Sequence, residues 1–272
     1  MTTKKILHSI FLFLFAFSFS QTSIDENIRG KFTYLFQAKP NSLNRDNIYK
    51  ELFSLQISDK RSFFISENKL KFDSLFTKEF AKNNGIINMK GTSSKASNFL
   101  IIQTNENVQC YETVGMTLLT YSIPIINNWK LVDETKVINT FVCKKAEVKY
   151  KGRDWIAWYS TAIPLPYGPF KFSNLPGLII KITDKTGDYD FELVKSEPNS
   201  SIEGKMISIS KRHYYNAKLV TKKELDDARK NFKENARHEL ESMGTQFSQD
   251  QRERQRINEI EKKGYNPIEL ED

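Results

Sequence analysis

The sequence predicts a mainly β protein: a curved or rolled antiparallel sheet, a meander of half-barrel character, with a C-terminal α-helical extension. Three observations carry this. Short runs rich in Phe, Tyr, Ile, Val and Thr recur between about residue 30 and residue 214, separated by Pro, Gly, Asn and Ser clusters. The crossover helices that parallel strands require are absent between them. After Thr221 the apolar period lengthens from two to between three and four, as in an amphipathic helix.

The elements follow in order. KFTYLFQA (31–38) alternates Phe32, Tyr34 and Phe36 against Thr33 and Leu35, then stops at Pro40-Asn41-Ser42. YKELFSLQIS (49–58) places Leu55 and Ile57 on one face, and RSFFIS (61–66) follows the turn-like Ser58-Asp59-Lys60, so the two read as a hairpin. Residues 67–97 carry little strand signal, and NMKGTSSKASN (88–98) reads as loop. Strands resume at 99–104, 108–114 and 117–123, with Asn105-Glu106-Asn107 turning the first into the second. Further on, Phe141, Cys143 and Lys145 share one face while Val142, Lys144 and Ala146 share the other. Lys151-Gly152-Arg153-Asp154 supplies a turn, and WIAWYS (155–160) returns as the partner strand. The meander is expected to continue to KMISISKRHY (205–214), for roughly nine to twelve strands in all.

The tail, residues 221–272, opens on Thr221-Lys222-Lys223-Glu224, a capping box. Leu225, Ala228, Phe232, Ala236 and Leu240 then form one apolar stripe, and Gly244 ends the helix. Ser248 with Gln251 caps a second expected helix, to about Lys263, with Ile257 and Ile260 as its apolar contacts.

The first twenty residues read as a secretory signal peptide. Lys4 and Lys5 form a charged segment, Ile6–Phe19 is almost wholly apolar, and Ser18-Phe19-Ser20 precedes a cut ahead of Gln21. The apolar run is shorter than the ~20 residues a bilayer core needs, and the rest of the chain carries no span of its own. The expected organisation is thus a signal peptide (1–20), a β-rich domain (21–220) and a charged helical tail (221–272). The expected setting is export: periplasmic, secreted or on the cell envelope. The body carries 28 Lys/Arg against 20 Asp/Glu, the tail 11 against 13. A basic body fits an anionic partner such as an acidic glycan or lipid headgroup. It shows no basic-aromatic pattern of a nucleic-acid module, and nucleic acid is excluded as a partner.

Motifs for chemistry are sparse. His213 and His238 lack Cys, Asp or Glu at metal-ligand spacing, so no metal and no cofactor are assigned. Nucleophile elbow, phosphate loop and H-E-x-x-H are missing, and no catalytic residue is assigned. Asp184, Asp188 and Asp190 surround Gly187, where Asp is expected because it bonds its own backbone in turns. Cys110 and Cys143 either pair, closing a loop worth about 3–4 kcal/mol, or stand as two buried thiols. The unusual segment is 154–178, where Trp155, Trp158, Tyr159, Tyr167 and Phe170 sit among four prolines, with Arg153 just before them. Such aromatics fill a β core or line a groove for a lipid, glycan or extended peptide.

NLPGLI (174–179), with AWYSTAIPLPYGPFKF before it and Cys143, Lys145, Ala146, Gly152 and Arg153 further upstream, closely resembles the signature of the GLPGLI family of exported bacterial proteins. LQISDKRSFF and Trp129 are similar to the family's N-terminal half, so the resemblance covers most of residues 29–195. It implies export, a β-rich domain and an envelope or secreted setting; the family has no accepted activity to carry over. Asn174 stands where the family has its first Gly, and Asn is the next-best residue at positive φ. Leu175-Pro176-Gly177-Leu178 reads as a type II turn that starts a strand. Three functional readings follow: a non-catalytic binder of a lipid, glycan or envelope protein, an interaction protein assembling through its C-terminal helices, and a secreted hydrolase with an unrecognised site.

Overall fold

A computed structural model describes residues 26–82, 96–242 and 263–271. The signal-peptide assignment and almost all of the second tail helix lie outside the described residues. The rest is mainly β, as expected. The strands are β1 (Gly30–Ala38), β2 (Tyr49–Ile57), β3 (Ser62–Ser66), β4 (Phe99–Gln103), β5 (Asn107–Val114), β6 (Thr117–Pro124), β7 (Lys130–Ile138), β8 (Phe141–Tyr150), β9 (Arg153–Ser160), β10 (Leu178–Asp184), β11 (Tyr189–Ser196) and β12 (Lys218–Leu219). They form one open 12-stranded sheet in the order β12-β6-β5-β4-β3-β2-β1-β11-β10-β9-β8-β7. All pairs are antiparallel except the short parallel contact of β12 with β6. Two meanders, β1–β6 and β7–β11, are thus zipped together where Phe36 of β1 faces Phe191 of β11.

The two faces are covered differently. Phe32, Tyr34, Phe53, Phe64, Ile101 and Phe191 belong to a large core on the concave side. Phe63, Ile65, Leu100 and Ile102, their neighbours in sequence, form a second core on the other side. This explains why SFFIS and FLIIQ are continuous apolar runs: both faces of β3 and β4 are out of water.

One expectation is corrected, that of a strand over residues 205–214. Residues 67–82 form a helix, α1 (Glu67–Lys82), started by Ser66, whose Oγ accepts from the amide of Asn68 at 3.2 Å. Residues 205–214 do not form a strand. After the one-turn helix α2 (Asn199–Ile202), they cross the face of the sheet, and their ladder contact is limited to the antiparallel bridge of Met206 with Asn27. Ile207 and Ile209 pack inward, Ser208 bonds the Gln56 side chain at 3.0 Å, and Lys211–His213 close a 3₁₀ turn. In β8 the buried residues are Cys143, Ala146 and Val148, and its pairing with β9 runs without a break from Lys144 to Tyr150, so Cys143 and Ala146 stand on opposite faces as predicted. A bulge in β7 between Val132 and Thr135 lies opposite Lys144 and Lys145.

The tail helix α3 (Lys222–Ser242) starts as its capping box predicts: the Thr221 hydroxyl accepts from the Glu224 amide at 3.1 Å, and the Glu224 carboxylate accepts from the Thr221 amide at 2.7 Å. Leu225 is inside, whereas Phe232 is 42% exposed.

Candidate functional site

Residues 161–177, between β9 and β10, do not continue the ladder but turn into the roll. Prolines set the path. The amides of Leu165, Tyr167 and Gly177 donate to the carbonyls two residues back, of Ile163, Leu165 and Leu175, at 2.8, 2.8 and 2.7 Å. These are γ-type turns centred on Pro164, Pro166 and Pro176, whose fixed φ lies close to what such a turn needs. NLPGL is therefore not the type II turn expected. Gly177 has φ 159°, and the Leu178 amide reaches across to Ile163 O at 2.9 Å instead of closing on Leu175. What demands glycine is space: a Cβ there would stand 2.1 Å from the Ser160 carbonyl oxygen. Asn174 takes φ 68°, the conformation in which glycine and asparagine are at ease, and its side chain donates to Ile126 O at 3.0 Å.

The segment fills part of the roll and leaves part open. Phe172 packs on Trp155, with ring centroids 4.6 Å apart. Phe170 is held at φ 53°, strained for a Cβ-bearing residue, while its carbonyl accepts from Gln103 Nε2 at 2.5 Å. Its ring stacks on Phe191 and borders a cavity of about 610 Å³ on the concave face. Phe36, Phe53, Phe99, Ile101 and Phe191 supply apolar lining, and the first turns of α3 border the cavity too.

Polar groups in the cavity cluster around Lys171. Its side chain is 4% exposed, and Nζ donates to Tyr121 OH at 2.8 Å and to Glu269 Oε1 at 2.5 Å. Burial drives the Tyr121 phenol far above its ordinary value, so it stays neutral. Cys110 also lines the cavity, and burial raises its thiol too. Lys222 and Arg229, also among the lining residues, are paired with Asp226, and Arg229 with Glu112 as well.

Glu269 arrives on the C-terminal segment 263–271, which straps across one end of the roll. Asn266 is its main fastening: its amide donates to Pro40 O at 2.9 Å, and its side chain donates to Lys39 O and to Asp188 Oδ2, both at 3.0 Å. Arg153 holds the same stretch from the other side. Its NH2 donates to Pro267 O at 2.6 Å and its Nε to Ile268 O at 3.1 Å, while NH1 pairs with Asp184 at 2.8 Å. Asp184 also accepts from Thr186 Oγ1 and from the amides of Asp188 and Tyr189, so the turn reading of this Asp cluster holds locally. Asp188 is pushed up by burial, but hydrogen bonds, led by that from Asn266, and the Arg45 charge leave it below the ordinary carboxylate value.

The residues proposed from sequence as ligand-binding separate accordingly. Phe170 lines the cavity. Arg153 is a buried clamp on the strap. Trp155, Trp158, Tyr159 and Tyr167 are core residues: Trp155 is almost fully buried and only borders a smaller cleft of about 200 Å³, and Lys136 lies over the Trp158 ring at 4.0 Å. Cys110 and Cys143 are free thiols, which decides against the disulfide; they lie on β5 and β8, far apart in the strand order. Cys143 is outside the cavity. His213 faces Asp73 of α1, with Nε2 and Oδ2 2.7 Å apart, and no group of potential metal ligands occurs among the described residues. Lys171 was the missed residue, and a lysine between Phe170 and Phe172 in a segment bound for the core was its signal.

No family model matches the chain, and no curated protein matches it. Solved structures are similar. PNGF-II in one crystal form aligns with TM-score 0.51 at 14% identity, over 73% of this chain and 32% of its own. A second crystal form gives 0.48 at 14% identity, over 74% and 32%. An uncharacterized conserved protein from Thermus thermophilus gives 0.33 at 10% identity, over 70% and 89%. The chain spans about a third of PNGF-II, and the likeness is one of fold.

Proposed function

We propose that this chain is an exported, non-catalytic binding protein of GLPGLI type, and that its ligand is a lipid-like amphiphile held in the concave-face cavity. The observation that carries the reading is the cavity itself. At about 610 Å³ it lies within the range of small-molecule sites, and it has their composition, a largely aromatic lining with a few convergent polar groups. Glycans and extended peptides fit less well, because Trp155, Trp158, Tyr159 and Tyr167 are core residues and form no exposed aromatic platform. Export rests on the apolar leader read from residues 1–20; no described helix is long and apolar enough to cross a membrane.

The test is a titration of the purified protein with a neutral naphthylamine dye that fluoresces in apolar surroundings. Saturable binding is expected, and Ala38→Trp, which fills the cavity from its lining, is expected to abolish it while circular dichroism stays β-rich. Absence of saturable binding, or binding indifferent to the filled cavity, overturns the proposal.

A further inference from the structure

Building on that reading, we propose that the cavity selects an amphiphile with a carboxylate head, and that Glu269 occupies the head-group position until such a ligand displaces it. Lys171 is the observation. A lysine with 4% of its side chain exposed needs a counter-charge, and among the described residues the sheet supplies none within ion-pair distance. Lys222 and Arg229, on α3, differ: Lys222 is already paired with Asp226 of the same helix, and Arg229 with Asp226 and with Glu112 of β5. The counter-charge of Lys171 comes from outside the sheet, through the strap. Around Lys171 Nζ stand the rings of Phe170 and Tyr121, with centroids at 5.0 and 5.3 Å, so the ammonium sits where apolar lining meets a polar end.

A carboxylate on an alkyl chain matches this arrangement atom for atom. Its oxygens replace those of Glu269 on Nζ, and its chain lies along Phe53, Phe99 and Phe191. The exchange requires only that the Glu269 side chain turn away. The strap keeps its fastenings at Asn266, at Arg153 and at Leu270, whose amide donates to Lys151 O at 2.9 Å.

The experiment is displacement of the same dye by laurate and, separately, by lauryl alcohol, which share a chain and differ in charge. In the wild type the charge-assisted hydrogen bond that laurate gains is offset by the one Glu269 gives up, so acid and alcohol are expected to bind within about threefold of each other. E269Q removes the internal competitor and is expected to tighten laurate by about tenfold, the ratio a charge-assisted hydrogen bond supplies, leaving the alcohol within about twofold. K171M/E269Q removes both charges together, strands neither, and is expected to bind the two equally. Laurate binding that E269Q does not tighten, or equal binding of acid and alcohol by E269Q, overturns the carboxylate assignment while leaving the amphiphile reading standing. Failure of both compounds to displace the dye overturns both.

Discussion

Arg153 and Asp184 lie 31 residues apart and meet at 2.8 Å with side chains 4% and 1% exposed. The guanidinium fork that pairs with Asp184 also holds Asn266, Pro267 and Ile268, so one side chain ties the β8–β9 turn, the β10–β11 turn and the strap together.

Removing that fork is expected to be costly. Arg153→Met leaves Asp184 buried without its cation, a loss of about 3–5 kcal/mol by analogy with other broken buried pairs. Arg153→Lys is expected to recover little, since an ammonium cannot serve the planar set of acceptors. Urea denaturation checks both, and a midpoint close to wild type in Arg153→Met contradicts the clamp.

Gly177→Ala places a methyl group against the Ser160 backbone, which cannot swing aside as a side chain could. The expected cost is roughly 2–4 kcal/mol, chiefly from overpacking. Asn174→Ala loses both a hydrogen bond and the ease at positive φ, whereas Asn174→Gly loses only the bond, so the alanine variant is expected to be less stable by about 1 kcal/mol. Unfolding midpoints that reverse this order contradict the assigned turn.

Acid is expected to loosen the fastening at Asp188. Its folded pKa lies below the unfolded value of about 3.9, so its contribution is complete above that pH and drains away as the pH falls through the folded value. Wild-type stability should therefore fall below about pH 4, and Asp188→Asn should show a shallower fall. Identical pH profiles for the two proteins count against the assignment.

Both cysteines are expected to be reduced. Alkylation in denaturant without reductant should modify Cys110 and Cys143 alike, and intact-mass measurement reads the outcome directly. A fully oxidised pair contradicts the structure.

Much of the architecture could be read from local pattern. Alternation in KFTYLFQA and the hairpin at Ser58-Asp59-Lys60 became β1, β2 and β3, and Thr221-x-x-Glu224 became the N-terminus of α3. The helix α1 had its own signal, Phe72, Phe76 and Phe80 at four-residue steps, which the surrounding strand-rich sequence obscured. The segment 205–214 misled because Ile207 and Ile209 alternate like a strand, while its ladder contact is limited to the bridge of Met206 with Asn27.

What the sequence determined by itself was local: the alternation of β1, the β2–β3 hairpin, the capping box that starts α3, and that Asn174 takes a left-handed conformation. What only the tertiary structure decided was the site. Its lining runs from Phe36 to Glu269, and the buried ammonium of Lys171 is neutralised by a residue 98 positions away. Alternation reports which face of a strand is apolar, but not how far the sheet curls or what closes its end. Those depend on contacts such as Arg153 with Asn266, whose 113-residue separation leaves no trace in local period.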